Sequence, residues 1–123
     1  MIKNILLVGL GGGIGSMARY GCQKWLTLSW LPSFPWGTFT VNILGCFLIG
    51  IFWGLSFRSF DSNESWKLFL MTGLCGGFTT FSAFTLEGVG LIREQKIALF
   101  FSYVAASVLL GLAATYAGMK LIR

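Results

Sequence analysis

Residues 72–84 read TGLCGGFTTFSAF, and the behaviour of this stretch decides how the rest of the chain is organised. It lies inside an apolar segment over about 67–92. At ~1.5 Å rise per residue, a helix of that length crosses the ~30 Å hydrocarbon core of a bilayer with some tilt. Its centre is weak as helix. Gly76 adjoins Gly77 and Thr79 adjoins Thr80; glycine loses the most backbone entropy in a helix, and paired β-branched residues crowd χ1. The sequence therefore predicts a break over about 76–80. A break at membrane depth frees amides and carbonyls that lipid cannot satisfy, so it survives only where it is packed in protein, binds an ion or lines a water-filled path. Gly73 and Gly77, spaced four apart, equally suit a close-packing face for a neighbouring helix. The hydroxyls of Thr79, Thr80, Ser82 and Thr85, interleaved with Phe81 and Phe84, favour a functional break, because hydroxyls at that depth need partners.

Outward from this segment the same apolar character continues. The chain has 123 residues, 55% hydrophobic and 11% charged, with 17 glycines, and a mean hydropathy of +0.78. This is the composition of an integral membrane protein, all-α, with expected spans at about 5–28, 38–57, 67–92 and 97–122 in a single transmembrane domain over 1–123. Pro32, Pro35 and Gly37 punctuate the first connection, 58–65 the second and 93–96 the third. Trp25, Trp30, Trp36 and Trp66 fall near segment ends, where an indole prefers the headgroup layer. Lys3 followed by an apolar run superficially resembles a signal peptide, but no small-residue cleavage site follows and the run reads as the first span.

The net charge of +5 does not point to nucleic acid, because the nine basic residues are scattered singly and form no stripe. Cys22, Cys46 and Cys75 lack paired metal-ligand spacing and the chain has no histidine, so they read as small packing residues. Gly13, Gly15 and Ala18 loosely match a dinucleotide fingerprint, yet no strand precedes them and no acidic residue occurs before Asp61. No nucleophile–base pair or carboxylate dyad supports catalysis, and the chain reads as no enzyme.

In a four-span arrangement Lys3, Arg58, Lys67, Lys120 and Arg123 lie on one side and Arg19, Lys24, Arg93 and Lys96 on the other, five against four. That is almost no bias under the positive-inside rule, so the chain is expected to insert both ways and to pair as an antiparallel dual-topology homodimer. Four helices of this size leave no room for a hydrated path inside one copy, which also favours an oligomer. Small residues at four-residue spacing, from Gly9/Gly13 and Gly11/Gly15 to Gly50/Gly54, Gly73/Gly77 and Ser107/Gly111, supply packing faces without revealing which lie within and which between subunits.

Several polar groups stand out within the spans. Arg19 is costly there and is expected to face protein or water, attracting anions or pairing with Glu87, while snorkelling to the interface suits both residues as well. Thr38 and Asn42 share a face by their spacing, continued by Gly45 and Cys46. The Asn42 amide offers N–H donors of the kind a desolvating anion needs, and equally suits an interhelical hydrogen bond. Phe81 and Phe84 fall three apart just past the break, where ring edges with positive potential would flank an anion without holding it too tightly; such a pair also suits packing or lipid. Tyr103 and Ser107, four apart on the last span, extend the donor line.

Together GGGIGSMARY at 11–20, PWGTFTVNILGCFLIG at 35–50 and TGLCGGFTTFSAF at 72–84 resemble the Fluc (CrcB-type) fluoride channel family of microbial membranes. The resemblance implies a four-helix subunit of the inner membrane with dual topology. It further implies an antiparallel homodimer with two pores and a central sodium ion, and passive fluoride export that protects cytosolic enzymes. By motif position Asn42 resembles the pore asparagine, Phe81 and Phe84 the paired pore phenylalanines, and Arg19 the vestibule arginine. Gly76 and Thr79 resemble the residues whose backbone carbonyls hold sodium. Tyr103 and Ser107 match a polar track on the last helix; Thr38 and Glu87 match positions that are polar in relatives. One departure is Gly111, where some members carry a further serine of the track. The alternative is a small proton-coupled multidrug-type exporter, which needs a titratable carboxylate in the first span; none is present there.

Overall fold

The computed structural model describes residues 1–29, 34–58 and 65–122. Among these all regular structure is helical, and four stretches are long and apolar enough to cross a membrane: Ile2–Leu26, Trp36–Ser56, Ser65–Arg93 and Ile97–Leu121. The first two belong to helices α1 (Ile2–Ser29) and α2 (Trp36–Arg58). The third is composite, with a single turn α3 (Ser65–Lys67), a π-helix (Leu68–Cys75), a short α4 (Gly76–Phe78) and α5 (Phe81–Arg93). The last is α6 (Ile97–Leu121). The helix ends differ from the expected spans by less than a turn. Trp30, Pro32, Arg123 and the stretch 59–64 of the sequence reading lie outside the described residues.

Glycines set which helices meet. A Cβ on Gly50 would strike the Thr115 carbonyl and one on Gly118 the Phe47 carbonyl, so α2 and α6 lie backbone to backbone in the most extensive pairing of the chain. Gly11 and Gly15 of α1 meet the carbonyls of Phe69 and Leu74 in the same way, and Gly73 and Gly77 meet α1 at Gly11 and Gly12. This is the small-residue packing that replaces hydrophobic driving force in lipid. Gly9 and Gly13 have nothing within 4 Å. The small-residue faces thus divide into those used inside the chain and an open one on α1.

The break is narrower than 76–80. Gly76 and Gly77 remain helical, and only Thr79 (φ −86°, ψ 160°) and Thr80 (φ −150°, ψ 125°) are extended. The physical reason is that low helix propensity cannot by itself open a peptide hydrogen bond where no water replaces it. Thr79 and Thr80 can leave the helix because they bring substitute partners, described below. The glycines serve close packing instead. Before the break the winding loosens, and the Gly76 amide donates to both the Gly73 and Met71 carbonyls. Such π segments are rare and concentrate near functional sites.

The turn between α5 and α6 closes as a Schellman motif. Lys96 N–H bonds the Leu91 carbonyl at 2.9 Å and Gln95 N–H the Ile92 carbonyl at 2.9 Å, with Gln95 in the left-handed region at φ 62°. Few side chains are fully buried: Val41, Cys75, Leu91, Tyr103 and Thr38 form the core, while Leu6, Leu109 and Leu112 are 65, 65 and 66% exposed. That apolar exterior is the surface of a four-helix membrane protein.

Candidate functional site

Three side chains rebuild the hydrogen bonding that the break removes. Asn42 on α2 binds both polar groups of the Thr80 peptide: its Nδ2 donates to the Thr80 carbonyl at 3.0 Å and its Oδ1 accepts from the Thr80 amide at 2.9 Å. Thr80 Oγ1 accepts from the Ala83 amide at 3.2 Å and caps α5. Thr79 Oγ1 donates to the Cys75 carbonyl at 2.9 Å, turning its hydroxyl back along its own segment, while its methyl occupies the space a Cβ on Gly45 would need. From α1, Arg19 Nε donates to the Gly77 carbonyl at 3.1 Å. Among the described residues no hydrogen bond reaches the carbonyls of Gly76 or Thr79. Gly76 is exposed and its Cβ position is almost open, with only the Met71 carbonyl at 3.9 Å.

Beside the break lies a cavity of about 460 Å³ between α2, the third span and α6. It brings together Asn42, Thr80, Phe81, Phe84 and Ser107, and it also touches Gly76 and Thr79. No charged side chain lines it. Among the described residues the buried Ser107 Oγ has no hydrogen-bond partner, an unmet need for a buried polar group. The Phe81 and Phe84 rings lie 5.8 Å apart at 39°, and Phe84 continues to Tyr103 at 5.0 Å and 50°. Phe81 is 76% exposed, so within one chain it forms the outer lip. Ser82 is exposed, with its hydroxyl 3.3 Å from that of Thr80.

Besides Ser82, four of the sequence candidates lie off this cavity: Arg19, Glu87, Thr38 and Tyr103. Arg19 is committed to the break and does not pair with Glu87. Glu87 instead accepts from Tyr103 Oη at 3.3 Å. Thr38 is 1% and Tyr103 0% exposed. Thr38 Oγ1 accepts from Gln23 Nε2 at 2.8 Å. Gln23 went unnoticed in the sequence, because its partner is 15 residues away on the next helix and no periodicity links the two. Past Ser107, the glycine at Gly111 leaves its Cβ position 3.4 Å from Cys46 Sγ. Thr115 does not replace the missing serine: its hydroxyl donates to the Cys46 carbonyl at 3.1 Å.

Comparison with known proteins extends these observations. A family model described as "CrcB-like protein, Camphor Resistance (CrcB)" matches residues 6–119. The chain belongs to this family. Among curated CrcB-like relatives, the "Fluoride-specific ion channel FluC" of Rhizobium etli strain CFN 42 is 46% identical over 118 residues, covering 96% of this chain and 94% of the relative. Proteins with the same name from Phocaeicola vulgatus (45% over 118 residues, 96% and 97% covered) and Leptospira interrogans (41% over 121 residues, 98% and 95% covered) extend the match across distant bacteria. Near-complete coverage and four apolar spans make this CrcB-like chain a multi-pass protein of the bacterial inner membrane. The exporter alternative gains no support from these relatives.

Proposed function

We propose that this chain is a fluoride-selective channel, exporting fluoride passively and so protecting cytosolic enzymes from its accumulation. The relatives' names support the ion, and one observation supports the site: a cavity with no charged lining where a buried Ser107 hydroxyl lacks a partner beside the Phe81–Phe84 pair. Asn42, Phe81, Phe84, Ser107, Thr38 and Tyr103 are the residues assigned to the anion path, and Arg19 to its vestibule. Neutral donors and ring edges attract a desolvating anion, yet bind it weakly enough for release, which conduction requires. The chemistry needs no catalytic group.

The working unit is an antiparallel homodimer in the bilayer. Phe81 at 76% exposed and the open face at Gly76 are surfaces that a second copy would cover, and the near-even charge count supports insertion both ways. The carbonyls of Gly76 and Thr79, without hydrogen bonds among the described residues, suit a small alkali cation, here sodium. With one copy supplying two carbonyls, an in-plane two-fold axis supplies four. The Thr79 hydroxyl is turned to Cys75, so Thr79→Ser should retain the ion. A bulky residue at Gly76 should weaken both the sodium site and the dimer. Prolonged sodium removal should lower dimer stability, and indifference of the dimer to sodium would contradict this assignment.

The transport reading is tested by ion efflux from liposomes that hold the purified protein. Rapid fluoride efflux with chloride retained supports it; retention of both ions, or equal release, argues against it.

A further inference from the structure

Both extended residues of the break are gripped by one face of α2. Asn42 binds the Thr80 amide and carbonyl. Three residues on, where a helix returns to the same face, the buried Gly45 meets Thr79. A Cβ on Gly45 would strike Thr79 Cγ2, whereas its next neighbours, Phe78 Cδ2 and Thr79 Cβ, lie at 3.5 Å, an ordinary van der Waals distance. One methyl of the third span thus fills the place of one missing methyl on α2.

Thr79 cannot give up this contact freely. Its amide and its hydroxyl both donate to the Cys75 carbonyl, at 3.0 and 2.9 Å. A threonine χ1 is confined to staggered wells, so turning the methyl away from Gly45 also takes Oγ1 off that carbonyl. Nor can the helices part to make room. α2 lies backbone to backbone on α6 at Gly50 and Gly118, and the third span lies in the same way on α1 at Gly11, Gly15 and Gly77. The Thr79 carbonyl belongs to the peptide plane of the Thr80 amide, which Asn42 holds at 2.9 Å. That plane is therefore fixed at one end by Asn42 and at the other by Thr79, tied to Cys75 and seated on Gly45.

We infer that Gly45 is a positioning residue: the seat it leaves for the Thr79 methyl holds Thr79 extended and aims its carbonyl. The service of that carbonyl to sodium, and the effect on transport, rest on the assignments proposed above; the seat itself does not.

The test moves the methyl from one helix to the other in the full-length protein. Gly45→Ala should slow fluoride efflux from liposomes, and raise the sodium concentration that half-stabilises the dimer, each about tenfold, the scale of one methyl forced into a filled site. Thr79→Ser deletes Cγ2, so the double variant conserves the volume of the pair, and both readouts should return to those of Thr79→Ser alone. Thr79→Val, which keeps a methyl at that place, should not rescue Gly45→Ala. Thr79→Ser should not rescue Gly77→Ala, whose methyl meets the Gly12 backbone; this separates the seat from a general gain in stability. If Gly45→Ala does not assemble, the same rescue is read in dimer yield. Absent rescue, rescue by Thr79→Val, rescue of Gly77→Ala, or an assembled Gly45→Ala that matches the parent in both readouts overturns the inference. A parent dimer indifferent to sodium fails the sodium assignment and leaves efflux to decide Gly45, whereas a parent that passes no fluoride fails the transport reading and leaves the sodium dependence to decide it. If both fail, rescue of the unfolding midpoint in detergent decides the seat.

Discussion

Asn42 and Thr80 form a two-point clamp: one side-chain amide replaces both backbone hydrogen bonds that a continuous helix would have given the Thr80 peptide, at 3.0 and 2.9 Å. The amide offers a donor and an acceptor side by side and carries no charge at any pH. An extended pair of residues can therefore persist at membrane depth, with α5 restarting behind the Thr80 cap. The clamp also leaves Asn42 with one Nδ2–H not used by Thr80, on the wall of the cavity.

Asn42→Asp keeps an acceptor for the Thr80 amide but sets a carboxylate oxygen against the Thr80 carbonyl. The lost donor and the buried, unsatisfied carbonyl together cost about 1–3 kcal/mol, and the negative charge repels an anion at close range. The expected result is a lower unfolding midpoint in detergent together with slowed or abolished fluoride efflux. An assembled variant with unchanged efflux removes Asn42 from the path.

Phe81→Ile and Phe84→Ile retain apolar bulk and remove ring edges. Fluoride efflux should fall in both, with dimer content preserved. Phe84 also packs on Tyr103, so its loss should additionally lower stability by about 1 kcal/mol, the scale of one aromatic pair. Intact efflux in both variants would make the rings packing elements only.

Gly77→Ala drives a methyl into the backbone of Gly12. Backbone cannot yield as a flexible side chain does, so this substitution should destabilise the fold by about 1–3 kcal/mol or more. Gly13→Ala meets nothing within the chain and should leave the isolated fold unchanged; a loss of dimer without loss of helix content in that variant would place the open α1 face between subunits.

The spans and the existence of a break are legible in the sequence because hydropathy and paired Gly and Thr act locally. The exact position of the break is not. Propensity spreads it over 76–80, across Gly76, Gly77, Thr79 and Thr80 alike, whereas the hydrogen-bond partners that confine it to the threonines belong to Asn42 and Thr80, 38 residues apart. The π-helical winding of Leu68–Cys75 leaves no periodic mark in an all-apolar run. Asn42, Phe81, Phe84 and Ser107 stand out as polar or aromatic groups at helical spacing, and the fold gathers them on one cavity. Thr38, Glu87 and Tyr103 stand out for the same reason, yet they lie off it, Thr38 bonded to Gln23 and Glu87 to Tyr103, because which helix faces which depends on glycine contacts that sequence spacing leaves unsorted.

Dual topology gives a prediction at the level of insertion. Two or three lysines added at one terminus should force a single orientation and abolish fluoride transport by that variant alone. Co-expression with a version biased the opposite way should restore it. Full activity from a single-orientation variant would refute the antiparallel pairing.

The central claim, passive and fluoride-selective conduction, is tested most directly by the reversal potential of the current through the purified protein in a planar bilayer under a potassium fluoride gradient, with pH equal on both sides. The account predicts a current that reverses at the equilibrium potential of fluoride, persists without a proton gradient and disappears when chloride replaces fluoride. Reversal at the potassium potential, a current of equal size in chloride, or transport that requires a proton gradient would contradict it.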